Sequence, residues 1–96
     1  MTTVIAGDFE WDAEKAADNL RKHGVSFKEA MECFLDQHAI TAPDKTDPLR
    51  FVLIGMSRQF RLLFVVSAEV NECIRIISAR KASPHQRKVY ENGPKE

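Results

Sequence analysis

The sequence predicts a single α+β domain: a small antiparallel sheet with helices packed on it, in the order β-α-α-β-β-β-α. Three observations predict it. Two helices, each with its own cap, occupy the first third of the chain. Three runs of β-branched and apolar residues follow from Arg50, joined by connections too short for a crossover, so they must be antiparallel neighbours. The last of these runs leads straight into a third capped helix.

Taken in order, Met1 to Gly7 offers Val4 and Ile5 and reads as a frayed start or a short edge strand, and Phe9-Glu-Trp11 alternates like a strand. Asp12 caps a helix over about Ala13–His23, with Ala13, Ala16, Ala17 and Leu20 at helical spacing, and Gly24 ends it. Ser26 with Glu29 is a capping-box pattern opening a second helix through about Leu35. Asp36 to Pro48, with Pro43 and Pro48, reads as a loop without core. The strands are Arg50–Met56, Arg61–Ser67 and Cys73–Arg80. The middle one holds the longest apolar run, Leu62-Leu-Phe-Val-Val66, which predicts a strand covered on both faces with Phe64 as a core ring. Ser83, Pro84 and Gln86 form a capping box with proline in the first turn of the closing helix, and residues 92–96 read as a tail.

Composition excludes several classes. The apolar run is far short of the ~20 residues of a membrane span. No charged stretch followed by an apolar one opens the chain, so a cytoplasmic protein without a membrane partner is expected. Cys33 and Cys73 lack metal or redox spacing and read as packed, reduced thiols. No metal cluster, glycine-rich phosphate loop or Ser-His-Asp set can be assembled, so no cofactor is expected. The net charge of zero hides an asymmetry: residues 1–48 balance at −5 and residues 49–96 at +5, with six of the seven arginines in the second half.

The cations around the last strand are the best functional signal. In a hairpin the start of one strand lies beside the end of the next, so Arg61 and Arg80 fall at one end of the sheet. The closing helix leaves from that end and brings Lys81, Arg87 and Tyr90 within reach, Arg87 and Tyr90 sharing a helix face. Cations in and beside an apolar strand call for an anion, and RNA phosphate is the working reading. The blander reading has the arginines paired with helix carboxylates or solvated, and Tyr90 packing its ring. Arg75, in mid-strand, either pairs with a carboxylate or lines a groove. His23 reads as a dipole-stabilised helix end or as a proton donor or acceptor; Lys15, Lys22 and Tyr90 are the other proton-transfer candidates.

These residues resemble the BrnT family of toxins. Phe9-Glu-Trp-Asp12 with Lys15, then Asn19-Leu-Arg-Lys-His-Gly-Val-Ser-Phe27 with Glu29-Ala30, are similar to its opening signature. Arg50-Phe-Val-Leu-Ile-Gly55 with Ser57, Arg61-Leu-Leu63, Ile74-Arg-Ile-Ile-Ser-Ala-Arg80, and Arg87 with Tyr90-Glu91 resemble its later blocks. The likeness spans about residues 9–91; Phe60, Val70 and Gln86 depart from the pattern, standing where glycine, arginine and glutamate are usual. The resemblance implies a RelE-like fold and the toxin of a type II toxin–antitoxin system, a ribonuclease neutralised by a BrnA-type ribbon-helix-helix antitoxin and meeting DNA only through that complex. On this reading Arg61, Arg80, His23 and Tyr90 are the catalytic candidates, and Lys15, Lys22, Arg75, Lys81 and Arg87 the RNA contacts, with no metal. The rival classes are a binding module acting with the antitoxin as co-repressor, and a structural domain whose charges only solvate it.

Overall fold

The computed structural model describes residues 2–93. Strands β1 (Thr3–Ala6) and β2 (Phe9–Asp12) lead into helices α1 (Ala13–His23) and α2 (Phe27–Glu32) and a 3-10 turn at Cys33–Leu35. Strands β3 (Ile40–Pro43), β4 (Arg50–Met56), β5 (Leu62–Val70) and β6 (Cys73–Lys81) follow, and helix α3 (Pro84–Asn92) closes the chain. The expected tail therefore begins inside α3, and its residues 94–96 lie outside those described, as does Met1.

The local signals act as read. Asp12 accepts from the Lys15 amide at 3.0 Å, and Gly24, at φ 68°, takes the left-handed turn that ends α1. Ser83 and Gln86 form a complete capping box on α3. At α2 only half the box exists: Ser26 accepts from the Glu29 amide, but the Glu29 side chain turns inward to other partners.

The fold is α+β, with a six-stranded sheet ordered β1-β2-β6-β5-β4-β3. It departs from the expected small antiparallel sheet in two ways. The segment read as a coreless loop contains β3, an edge strand paired with β4 from Ile40 opposite Ile54 to Pro43 opposite Phe51. Proline is tolerated there because an edge strand has one row of amides without sheet partners. Second, β2 joins β6 in parallel, Phe9 beside Ile74 and Glu10 beside Arg75, which puts the N-terminal hairpin on the same sheet.

Against one face of the sheet lie α1 and α2. Trp11, Val25, Phe27, Ala30 and Cys33 meet Leu53, Leu63, Val65, Ile76 and Ala79 there in a single buried cluster. The 3-10 turn presses so closely on β4 that a Cβ on Gly55 would sit 2.9 Å from the Cys33 carbonyl oxygen. The opposite face is less covered. Phe64 is only half-buried, so the ring expected in the core is not there; Leu63 and Val65 occupy that place. The stripe expected on α1 is likewise incomplete: Leu20 is 52% exposed, and the buried side chain of the helix is Asn19. Its amide donates to the carbonyls of Val25 (2.9 Å) and Ala79 (2.8 Å), and its oxygen accepts from the Ala79 amide. This three-bond clamp seats the α1–α2 turn against β6, satisfying backbone groups that burial would otherwise leave unpaired.

Candidate functional site

The site is built at the end of the sheet where β4 leaves, β5 enters and β6 gives way to α3. A tight turn, Ser57 to Arg61, joins β4 to β5. It is closed by the Ser57 amide donating to the Arg61 carbonyl (2.9 Å) and the Phe60 amide donating to the Ser57 carbonyl (3.0 Å). Beneath the turn lies Glu29, 3% exposed. It accepts from the Ser57 hydroxyl at 2.8 Å and from Arg61 through both Nε (2.8 Å) and Nη2. Arg61 Nη2 also donates to the Gly24 carbonyl at 3.0 Å, tying the turn to the end of α1. The forked Arg61 hydrogen bond holds the Glu29 carboxyl below its ordinary range against the opposing effect of burial, with Ser57 and the nearby Lys81 charge adding to the pull. The same hydrogen bond raises the Arg61 guanidinium, so both groups stay ionised.

Arg61 is therefore largely a structural post. Among the described residues nothing takes the two hydrogens on its Nη1, and its side chain is 31% exposed, so one edge still faces outward. Arg61 borders a shallow cleft of about 260 Å³, lined also by Phe60, Leu62, Lys81, Ala82 and Arg87. Lys81 and Arg87 are exposed and, among the described residues, have no carboxylate partner. Three cations thus converge on one cleft, as the hairpin argument expects of this sheet end.

The expected cluster is not intact, however. Arg80 lies directly opposite Phe64, with its guanidinium carbon 4.8 Å from the ring centroid. Phe64 is an odd number of residues from Arg61, so Arg80 occupies the sheet face away from Arg61 and Glu29. Sharing an end does not mean sharing a face, and these two arginines cannot close on one phosphate as arranged. Tyr90 also leaves the cluster: its hydroxyl donates to Asp36 at 2.7 Å. Burial first, then that bond, push the Tyr90 phenol up to about 12. Asp36 is raised by burial, but the bonds from Tyr90 and the Met56 and His38 amides outweigh this and leave it below its ordinary range.

His23, exposed at the end of α1, borders a second shallow cleft with Lys15, Lys22, Asn19 and Ser78, one residue from the carbonyl that Arg61 holds. Arg75 lies toward the far end of the sheet, where it donates to Glu10 at 2.6 Å; of the two readings of this residue, the ion pair is the one observed. Burial pushes the Cys33 thiol up to about 12, with nearby carboxylates adding to the shift, so it stays a neutral packed thiol. No cluster of three or more His, Cys, Asp or Glu side chains suited to a metal occurs among the described residues. Two residues central to the site carried only local meaning in the sequence. Glu29 read as half of a cap, and Asn19 had no reading beyond its place in a motif; their partners lie 32 and 60 positions away.

Comparison with known proteins agrees with this architecture. Residues 11–86 match the family described as the ribonuclease toxin, BrnT, of type II toxin–antitoxin systems. The crystal structure of the Brucella abortus ribonuclease toxin BrnT superposes with a TM-score of 0.63 at 33% identity, over 76% of this chain and 92% of that one. No curated protein matches. The shared plan is a mixed α+β sheet with three helices, RelE-like at the general level. The match runs from Trp11 through the first turn of α3, so it takes in the Glu29–Arg61 post, the Ser57 turn and Lys81. The chain belongs to the BrnT family of ribonuclease toxins of type II toxin–antitoxin systems.

Proposed function

We propose that this protein is a metal-independent endoribonuclease acting in the cytoplasm, with the Arg61, Lys81 and Arg87 cleft as its phosphate subsite. A BrnA-type ribbon-helix-helix antitoxin neutralises it, and it meets DNA only through that complex. The observation that carries the reading is the convergence of those cations, two of them without a salt bridge among the described residues, on one open cleft. Cleavage drives a ribose 2′-oxygen onto the adjacent phosphorus. A base removes the 2′ proton, the bond to the 5′-oxygen breaks, and an acid protonates that leaving oxygen, giving a 2′,3′-cyclic phosphate and a 5′-hydroxyl end. The charge gathered on the equatorial oxygens is what Lys81, Arg87 and the outward edge of Arg61 would stabilise. His23 is the favoured proton-transfer group, being exposed and one residue from the Gly24 carbonyl that Arg61 holds. Tyr90 serves less well, since its proton is committed to Asp36. Lys15 and Lys22 extend the basic surface beside His23 toward a longer RNA, and Arg75, paired with Glu10, has no part.

The test is digestion of a single-stranded RNA by the purified protein in EDTA. Cleavage with a cyclic-phosphate product is expected, and Lys81→Ala with Arg87→Ala should lower the rate by about 10²–10³-fold without unfolding. Full activity in that folded double variant would overturn the assignment of the cleft. A protein that binds its antitoxin but cuts no RNA would instead be the co-repressor module.

A further inference from the structure

Phe60 is not explained by the fold. It is 88% exposed, the most exposed large apolar residue among those described. Its backbone sits at φ 61°, in the left-handed region that bulky L residues avoid. Neither feature favours folding, and glycine would relieve both. The turn nevertheless holds the residue there firmly. Ser57 closes the turn through its amide and carbonyl. Its hydroxyl, anchored on Glu29, also accepts from the amides of Gln59 (3.2 Å) and Arg61 (3.4 Å). A strained conformation kept by surrounding bonds is a reason to look for a ligand.

The surroundings say which ligand. Phe60 lines the same cleft as Arg61, Lys81 and Arg87, and Arg58 and Gln59 beside it are exposed. An anchor for a protein partner needs apolar neighbours to exclude water around it. A lone aromatic ring among cations is instead the pattern that holds single-stranded nucleic acid, where charges follow the phosphates and the ring takes a base. We infer that Phe60 is a stacking platform for an unpaired RNA base next to the phosphate held by Arg61, Lys81 and Arg87. The inference rests on the cleft being the RNA site and adds to it a contact with the base. Because stacking engages any base face, Phe60 sets where the strand lies more than which sequence is chosen.

The experiment uses a 2′-O-methyl oligouridylate, which lacks the attacking hydroxyl, and an abasic chain with the same number of phosphates. Phe60→Gly should fold at least as stably as the wild type, because glycine accepts the positive φ. It should bind the oligouridylate about 10- to 100-fold more weakly while its affinity for the abasic chain is unchanged. Phe60→Trp should keep the affinity and report stacking directly, its emission quenched by the oligouridylate and not by the abasic chain; the native Trp11 is only 4% exposed and gives a steady background. Equal binding of the oligouridylate by wild type and Phe60→Gly overturns the inference and leaves the phosphate cleft standing. An equal loss on both chains overturns it too, assigning Phe60 to the shape of the turn. Should the wild type bind neither chain, the inference falls together with the reading beneath it.

Discussion

The two ends of the sheet both carry cations and use them differently. At the far end, where β6 begins, Arg75 meets Glu10 at 2.6 Å and Arg50 meets Asp47 at 3.3 Å. At the near end, where β6 finishes, Arg61 is fixed by Glu29, but Lys81 and Arg87 border the cleft without forming a salt bridge among the described residues. The difference is one of carboxylate supply. The +5 of residues 49–96 is partly cancelled by acidic residues of the first half reaching across the fold, Glu10 at one end and Glu29 at the other. Where that supply stops, positive charge is left for a ligand. Counting arginines could not separate scaffold from site; the nearest carboxylate does.

The largest expected effect breaks the comparison at Arg61. Removing it leaves Glu29 buried and charged, so Arg61→Ala should cost about 3–5 kcal/mol in urea unfolding, a large share of the roughly 5–15 kcal/mol that stabilises a small domain. Arg75→Ala should cost about 1–2 kcal/mol, because both members of its pair keep some exposure. The half-exposed Arg50 should cost less than about 1 kcal/mol. A reversed ranking would show that the near-end post is not structural. It also follows that lost cleavage in Arg61→Ala means little until folding is checked.

The pH dependence sharpens the same contrast. Glu29 has a depressed folded pKa, so its contribution is fully present above the unfolded value of 4.5 and fades as pH falls through the folded value. Between the two, the unfolded chain binds more protons, and stability must rise with pH. Replacing both Glu29 and Arg61 by methionine should flatten that acid limb in a series of urea titrations below pH 5. A limb as steep as the wild type's would mean that other carboxylates carry it.

How far the sequence could show this depends on range. Asp12, Gly24, Ser83, Pro84 and Gln86 act within one helical turn, and each was legible. The short β4–β5–β6 connections made those pairings legible too, and with them the convergence at one sheet end. What stayed hidden is long-range or depends on which face a residue occupies. The parallel β2–β6 junction has no local signal, because everything from α1 to β5 lies between its strands. Proline disguised β3, since an edge strand and a loop accept it equally. Burial of Asn19 in place of Leu20 followed from the carbonyls of Val25 and Ala79, which no periodicity describes. Hairpin connectivity fixes the end of the sheet but not the face, and Arg80 lies over Phe64 while Tyr90 reaches Asp36.

Tyr90 gives the next prediction. Its bond to ionised Asp36 ties α3 to the loop after the 3-10 turn, and Tyr90→Phe should cost about 1.5–3 kcal/mol at neutral pH, as charge-assisted bonds do. The folded phenol is raised to about 12 against an unfolded value of 10. Its contribution is therefore whole below pH 10 and lost as pH climbs toward 12, so wild type and variant should converge there in thermal melts. Cleavage by the folded variant should stay near the wild-type rate. A drop of 10²-fold or more would return Tyr90 to the proton-transfer step.

The smallest effect belongs to Arg80, the near-end arginine that lies outside the cleft. Its guanidinium over the half-buried Phe64 ring is an exposed cation–π contact, worth about 0.5–1 kcal/mol, to which its methylenes add some packing. Arg80→Ala should therefore lower stability by no more than about 1 kcal/mol, and Arg80→Lys by less, since a lysine can still place its charge over the ring. Neither should change the cleavage rate more than a few-fold, because the β6 register points this side chain away from Arg61. If folded Arg80→Ala cut RNA 10²-fold more slowly while Lys81→Ala with Arg87→Ala cut normally, the catalytic surface would be the Phe64 face. The near-end cleft would then be scaffold, like the far end of the sheet.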